Sequence, residues 1–187
     1  MPLAMVKHLW TVDEVLRMEE KGILPPDKRL ELIRGELIEM SPIGSQHAAA
    51  VDRIQAFFIT QFAGRINVRS QGPIQADEYS VPEPDIAVLR FREDFYEEKY
   101  PGPGDILLVI EVADTTLSFD RKVKAPLYAE MGIPEYWIVD LKKKCVEQYQ
   151  QPEAGRYVVK QIRRRGEALV LPGLGVEVEV DAIFGPK

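Results

Sequence analysis

The sequence predicts an α/β fold, a mixed sheet flanked by helices, on three observations. PDIAVLR and ILLVIEV are short aliphatic runs of strand length, and helix-period stretches lie before and after them. The resulting order is helix, strand, strand, strand, helix, strand. Three strands joined by short turns, followed by a helical crossover to a further strand, give parallel and antiparallel pairs in one sheet. The 187 residues fit one domain, since single cores are comfortable at about 100 to 200 residues. Its expected parts are an N-terminal helix and hairpin (1–44), a core (45–141) and a β-rich C-terminal portion (142–187).

Each element has a local reason. TVDEVLRMEEKG opens with a capping box, Thr11 and Glu14, and stops at Gly22, so it predicts a short helix. RLELIRGELIEM has two apolar-rich runs around Arg34-Gly35 and reads as a hairpin. In SQHAAAVDRIQAFFITQFAG, Val51, Ile54, Phe58 and Phe62 fall on one helical stripe, with Ser45 as N-cap and Gly64 as stop. INVRSQGPI, PDIAVLR and ILLVIEV are strands separated by turn-rich segments such as YPGPGD. SFDRKVKAPLYAEMG predicts a helix from about Asp120 to Met131, in which Pro126 must lie in the first turns or kink the chain. IPEYWIVDL is a core strand. From VEQYQ through RYVVKQIRR to VEVEVDAIF the chain reads as β, with turns at QPEAG and LPGLG.

The bulk numbers narrow the function. At 45% hydrophobic and 29% charged the chain is too apolar for general disorder. A net charge of -6 lacks the broad basic field of a constitutive nucleic-acid binder, yet permits a nuclease that meets phosphate through a local basic rim and a metal. One cysteine, Cys145, excludes an intramolecular disulfide and fits a reducing compartment. MPLAMVKHLWTVDEV is no signal peptide, and no run approaches the roughly 20 apolar residues of a membrane span. The expectation is a soluble cytoplasmic protein. Two histidines exclude a His-rich metal site, and no GxxxxGKS, GxGxxG, HExxH or CxxC pattern occurs.

The residues that stand out are acids where apolar residues belong. Glu111 follows five consecutive aliphatic residues, Ile106 to Ile110, and a buried carboxylate costs several kcal/mol unless something compensates it. Asp85 opens its strand directly after Pro84. If the two strands are antiparallel neighbours, the entrance of one meets the exit of the other and both carboxylates converge. Such a pair raises one pKa or demands a cation, and Mg²⁺ is the natural one, with Mn²⁺ as a substitute. Alone, Asp85 could equally be a strand-start aspartate, and Glu111 could pair with a buried arginine. DRKVK supplies Lys122 and Lys124, either of which could steady charge developing on a phosphate or sit as a solvated helix charge. Asp120, Lys124 and Tyr128 share a helical face.

Pro84-Asp85 followed by the strand glutamate resembles the PD-(D/E)XK nuclease superfamily, whose restriction endonuclease-like core has this element order. More specifically, ELIRGELIEMSP, His47, EPDIAVLR, LLVIEVADTT, DRKVKAPLYAEMGIPEYWIVDL and LPGLGVEV resemble the Uma-type restriction endonuclease family, from about residue 29 to the C-terminus. The resemblance implies a Mg²⁺-dependent endonuclease acting on DNA. Asp85, Glu111 and the Val112 carbonyl would hold the metal, and Lys124 would position or deprotonate the attacking water. The superfamily pattern wants lysine two residues after the acid, where this chain has Ala113. Family members carry the lysine in the following helix, at the position of Lys124. The alternative is a nuclease fold with a degenerate site, used for binding or assembly. A metal-free glycosidase-like pair of carboxylates is a thinner third, since Tyr128, Tyr136 and Trp137 read as core rather than cleft.

Accessory candidates are His47 near a helix start, which could touch phosphate or simply lie at the helix terminus, and Glu36 with Glu31 at the hairpin. Asp120 and Lys122 complete that set. The runs at 142–144 and 163–165 could form a basic rim or solvated edges. A homodimer or higher homo-oligomer is expected of a double-strand cutter, with Leu9, Trp10 and Phe184 as candidate contact residues.

Overall fold

The computed structural model describes residues 6–171 and 173–185. The first five residues of the N-terminal extension, Pro172 of the LPGLG turn and the last two residues lie outside it. Thr11 caps α1 (Val12–Glu20): the Thr11 hydroxyl accepts the Glu14 N–H at 3.3 Å, and the Glu14 carboxylate accepts the Thr11 N–H at 2.9 Å. β1 (Leu30–Ile33) and β2 (Glu36–Glu39) pair antiparallel around Arg34 and Gly35, with φ 51° and 77°, as a type I′ turn requires. Gly35 is constrained twice, because a Cβ there would lie 2.6 Å from the Leu9 Cβ. α2 (Ser45–Phe62) carries the expected stripe of Val51, Ile54, Phe58 and Phe62, all buried. Gly44, not Ser45, occupies its cap position; Ser45 is already helical.

β3 (Ile66–Ser70), β4 (Ile86–Arg90), β5 (Ile106–Ala113), β6 (Glu135–Asp140), β7 (Cys145–Glu153) and β8 (Arg156–Arg164) form one sheet in sequence order. Every neighbouring pair is antiparallel except β5 with β6. That parallel pair needs a crossover, made by α3 (Leu117–Phe119), a π-helical turn (Asp120–Lys124) and α4 (Ala125–Glu130). The helical segment thus begins three residues before the predicted start. Pro126 explains the wide turn: without an N–H, and with a ring that crowds the preceding turn, it fits better where the helix is loosened.

The sheet is covered on both faces. Ile86, Val88, Leu108, Ile110, Trp137 and Val139 pack with α2 on one side. On the other, Ala87, Val109, Ala113 and Tyr136 pack with Ala125 and Tyr128 of the crossover. β9 (Ala168–Leu171) and β10 (Val176–Glu179) form a separate hairpin. The last segment corrects the sequence reading. VDAIF is not strand but α5 (Val180–Phe184), which packs on α2 and buries Ile183 and Phe184. The alternation in VEVEV concealed the change of period, and Asp181 in the first turn is the acid a helix N-terminus favours. Phe184 is therefore core and offers no contact for self-association, whereas Leu9 and Trp10 are exposed. No described helix is long and apolar enough to cross a membrane.

Candidate active site

The antiparallel register of β4 and β5 pairs Ile86 with Ile110, and one step further sets Asp85 beside Glu111. Pro84 keeps Asp85 at the strand mouth, where its Oδ2 accepts the Val112 N–H at 2.8 Å. The same oxygen takes the Nε2–H of His47 at 3.0 Å; an ionised carboxylate only accepts, so the imidazole donates. That bond raises the His47 pKa, against the opposing effect of burial. His47 Nδ1 is buried without a partner.

Glu111, 4% exposed, is met by two donors on Oε1: the Lys124 ammonium at 2.9 Å and the Tyr128 hydroxyl at 2.8 Å. Lys124 also bonds Glu31 Oε1 at 2.9 Å, and that oxygen accepts the Glu83 N–H at 2.8 Å. A bridge between Leu32 and Val81 lays the β1–β2 hairpin against the approach to β4, which is how Glu31 arrives from so far in sequence. One ammonium between two buried carboxylates leaves negative charge in excess. Burial pushes the Glu111 carboxyl well up, Lys124 opposes the rise, and Asp85, Asp120 and Glu31 add to it. Lys124 is itself held more firmly protonated: desolvation works against its charge, but Glu111 and Glu31 outweigh it. Glu31, Asp85, Glu111, Asp120 and Lys124 line a cavity of about 440 Å³ whose wall also includes His47, Val112 and Thr116.

Of the residues singled out in the sequence, Asp85, Glu111, Lys124, Val112, His47 and Asp120 come together. Glu36 and Lys122 do not. Glu36 is exposed on β2 and pairs with Lys7, and Lys122 points to solvent from the π-helical turn. Glu31, paired in that reading with Glu36 as a hairpin acid, is the one that enters: it is 1% exposed. Its signal was its place between Leu30 and Leu32 in a strand buried on both faces. Ala113 packs in the core on the face of β5 that also carries Glu111, so Lys124 brings its ammonium to that face from the helix above.

The sequence matches the family described as "Putative restriction endonuclease", Uma2, over residues 12–182. The chain belongs to the Uma2 family. The same fold occurs in a crystal structure from Anabaena variabilis ATCC 29413, described as a putative nuclease belonging to DUF820. It is 15% identical, with a TM-score of 0.73 over 93% of this chain and 97% of that one. No curated protein matches the sequence.

In this Uma2 chain Asp120 gives the cluster a pH signature. Burial raises its carboxyl from 3.8 to about 6, while the Thr116 hydroxyl, donating to Oδ2 at 2.7 Å, pulls the other way. A raised folded pKa favours folding fully below 3.8, and that contribution is lost as pH climbs through about 6. Asp120→Asn is therefore expected to add about 1–3 kcal/mol at pH 8 in metal-free buffer, at about 1.4 kcal/mol per pKa unit, and almost nothing near pH 4. Urea unfolding across that range checks it, and a gain independent of pH would contradict the assignment.

Proposed function

We propose that the chain is a divalent-metal-dependent endonuclease that hydrolyses phosphodiester bonds of DNA at the Asp85–Glu111 cluster. The observation that carries this reading is the surplus of carboxylates: Glu31, Asp85, Glu111 and Asp120 surround Lys124 and His47 in one cavity. A buried acidic excess costs several kcal/mol unless a cation offsets it.

The donor set fits Mg²⁺ or Mn²⁺. Asp85 and Glu111 are hard oxygen donors whose protein bonds fall on Oδ2 and Oε1. A strand residue turns its N–H and C=O to the same side, so the Val112 carbonyl faces the β4 side, as its N–H does. Among the described residues no three His, Cys, Asp or Glu side chains are grouped so that they could hold a metal ion between them, and Mg²⁺ commonly needs only one or two carboxylates with water and phosphate. Bound there, the ion would polarise a phosphate oxygen and lower the pKa of water. His47 and the Val112 amide fix the Asp85 carboxylate in place. Lys124, firmly protonated, suits the part of a fixed positive charge near the reacting phosphate better than that of a base taking a proton from water. One cluster serves one bond at a time, so double-strand cleavage would call for two copies of the chain.

The second reading, a binding module with a static site, draws on one fact: Lys124 already bridges Glu31 and Glu111, so the chain supplies one cation of its own to the cluster. Incubation with supercoiled plasmid in Mg²⁺, Mn²⁺ or chelator separates the two. Nicked or linear product is expected only with metal, together with a metal-induced rise in melting temperature. Neither cleavage nor a melting response to either ion would favour the binding module.

A further inference from the structure

Beside the carboxylate cavity lies a second groove of about 210 Å³, lined by Ser45, Gln46, Ala49, Arg53, Lys144 and Phe184 among others. Three cations from three separate elements gather around residues 184–185. The Lys144 ammonium of the β6–β7 turn sits 5.5 Å from the centroid of the Phe184 ring, and the Arg165 guanidinium sits 6.0 Å from it. The Arg53 guanidinium of α2 lies against Gly185, so close that a Cβ on that residue would be 2.9 Å from it. Asp181, 3.3 Å from Arg165, and the Gly185 carbonyl engage Arg165. Arg53 and Lys144 reach the groove wall without an ion pair to an acidic side chain among the described residues.

Two connections tie this groove to the carboxylate cavity. The first turn of α2 divides them, with Gly44 and His47 on the cavity side and Ser45 and Gln46 on the groove side. The β6–β7 turn spans both, because Lys142 reaches Asp114 on the cavity rim at 3.8 Å while Lys144 lines the groove. A helix is about 10 Å across with its side chains.

We infer that Arg53 and Lys144 form a phosphodiester subsite that grips the backbone of the nucleic-acid strand next to the bond being cut, about one helix width away. This rests on the reading of the Asp85–Glu111 cluster as a nuclease site and adds the surface that holds its substrate. In a chain of net charge -6, a local pair of cations next to an acidic cavity is what lets a polyanion approach. Its contacts are to backbone, so it orients the strand without reading its sequence.

The test is the steady-state cleavage of one duplex in Mg²⁺ over a range of salt, for wild type, Arg53→Gln/Lys144→Gln and a control, Lys99→Gln/Arg156→Gln, which removes two exposed charges elsewhere. All four side chains are exposed, and thermal melts confirm that each variant is folded. The subsite variant is expected to raise KM about tenfold with kcat within about twofold. It should also flatten the plot of log kcat/KM against log salt by about one unit per lost contact. The control should leave both parameters near wild type. The subsite is overturned if KM and the salt slope stay unchanged, or if the control shifts them equally. If the wild-type chain cuts no DNA, the nuclease reading fails and the subsite falls with it; cleavage with an unchanged slope removes the subsite alone.

Discussion

Replacing Lys124 by methionine is expected to lower stability by about 3–5 kcal/mol at pH 8, the usual cost of breaking a buried ion pair by removing one partner, and to end cleavage. The ammonium bonds both Glu31 and Glu111 at 2.9 Å, and all three side chains are at least 95% buried. Methionine fills similar space but leaves two carboxylates facing each other out of water. Burial already pushes the Glu111 carboxyl above its ordinary value of 4.5, and Lys124 is what restrains the rise. An acid with a raised folded pKa stabilises the folded state below its unfolded pKa and loses that contribution as pH rises through the folded one. The deficit of the variant is therefore greatest at pH 8 and shrinks as pH falls toward 4.5. Urea unfolding at several pH values measures it. A variant as stable as wild type at pH 8 would show that Lys124 does not carry the charge of the cluster.

Asp85→Asn is expected to reduce cleavage by about a thousandfold, equivalent to about 4 kcal/mol of transition-state stabilisation, and to remove the melting response to Mg²⁺. Its effect on metal-free stability is expected to be small, about 1 kcal/mol, because the asparagine carbonyl can still accept the Val112 N–H that Asp85 holds at 2.8 Å. Cleavage rates and paired melts with and without metal separate a lost ligand from a lost fold. Activity within about tenfold of wild type would move the metal away from Asp85.

The central sheet was legible because its signals are local. Pro84 marks where β4 begins, the aliphatic run from Ile106 marks β5, and the stripe from Val51 to Phe62 marks α2. Asp85 and Glu111 were legible for the same reason, as charges that interrupt those patterns. Glu31 did not separate from Glu36, since its place depends on the hairpin folding back onto the chain near Val81, a contact about fifty residues away in sequence. His47 had no local signal that set it apart from an ordinary helix-start residue; its bond to Asp85 is again long-range. VDAIF was misread because Val176, Val178 and Val180 keep a strand's period up to the residue where the helix starts. Pro126 announced a disturbance in the crossover, but a proline that starts a helix and one that loosens the turn before it carry the same local signal, so the widened turn of five residues was not legible.

That widened turn makes the crossover a counting device. Along an α-helix every fourth residue drifts forward by about 40°, since 3.6 residues complete a turn; a wider turn takes the drift back. Asp120 and Lys124 both face the cavity, and Lys124 and Tyr128 meet at one Glu111 oxygen. Deleting one residue from the ordinary pitch of α4, between Lys124 and Tyr128, would swing the tyrosine about 100° around the axis relative to the lysine, away from the Glu111 oxygen that the two share. The number of residues here matters as well as their side chains: the meeting of Lys124 and Tyr128 at the heart of the cluster is set by length as much as by chemistry.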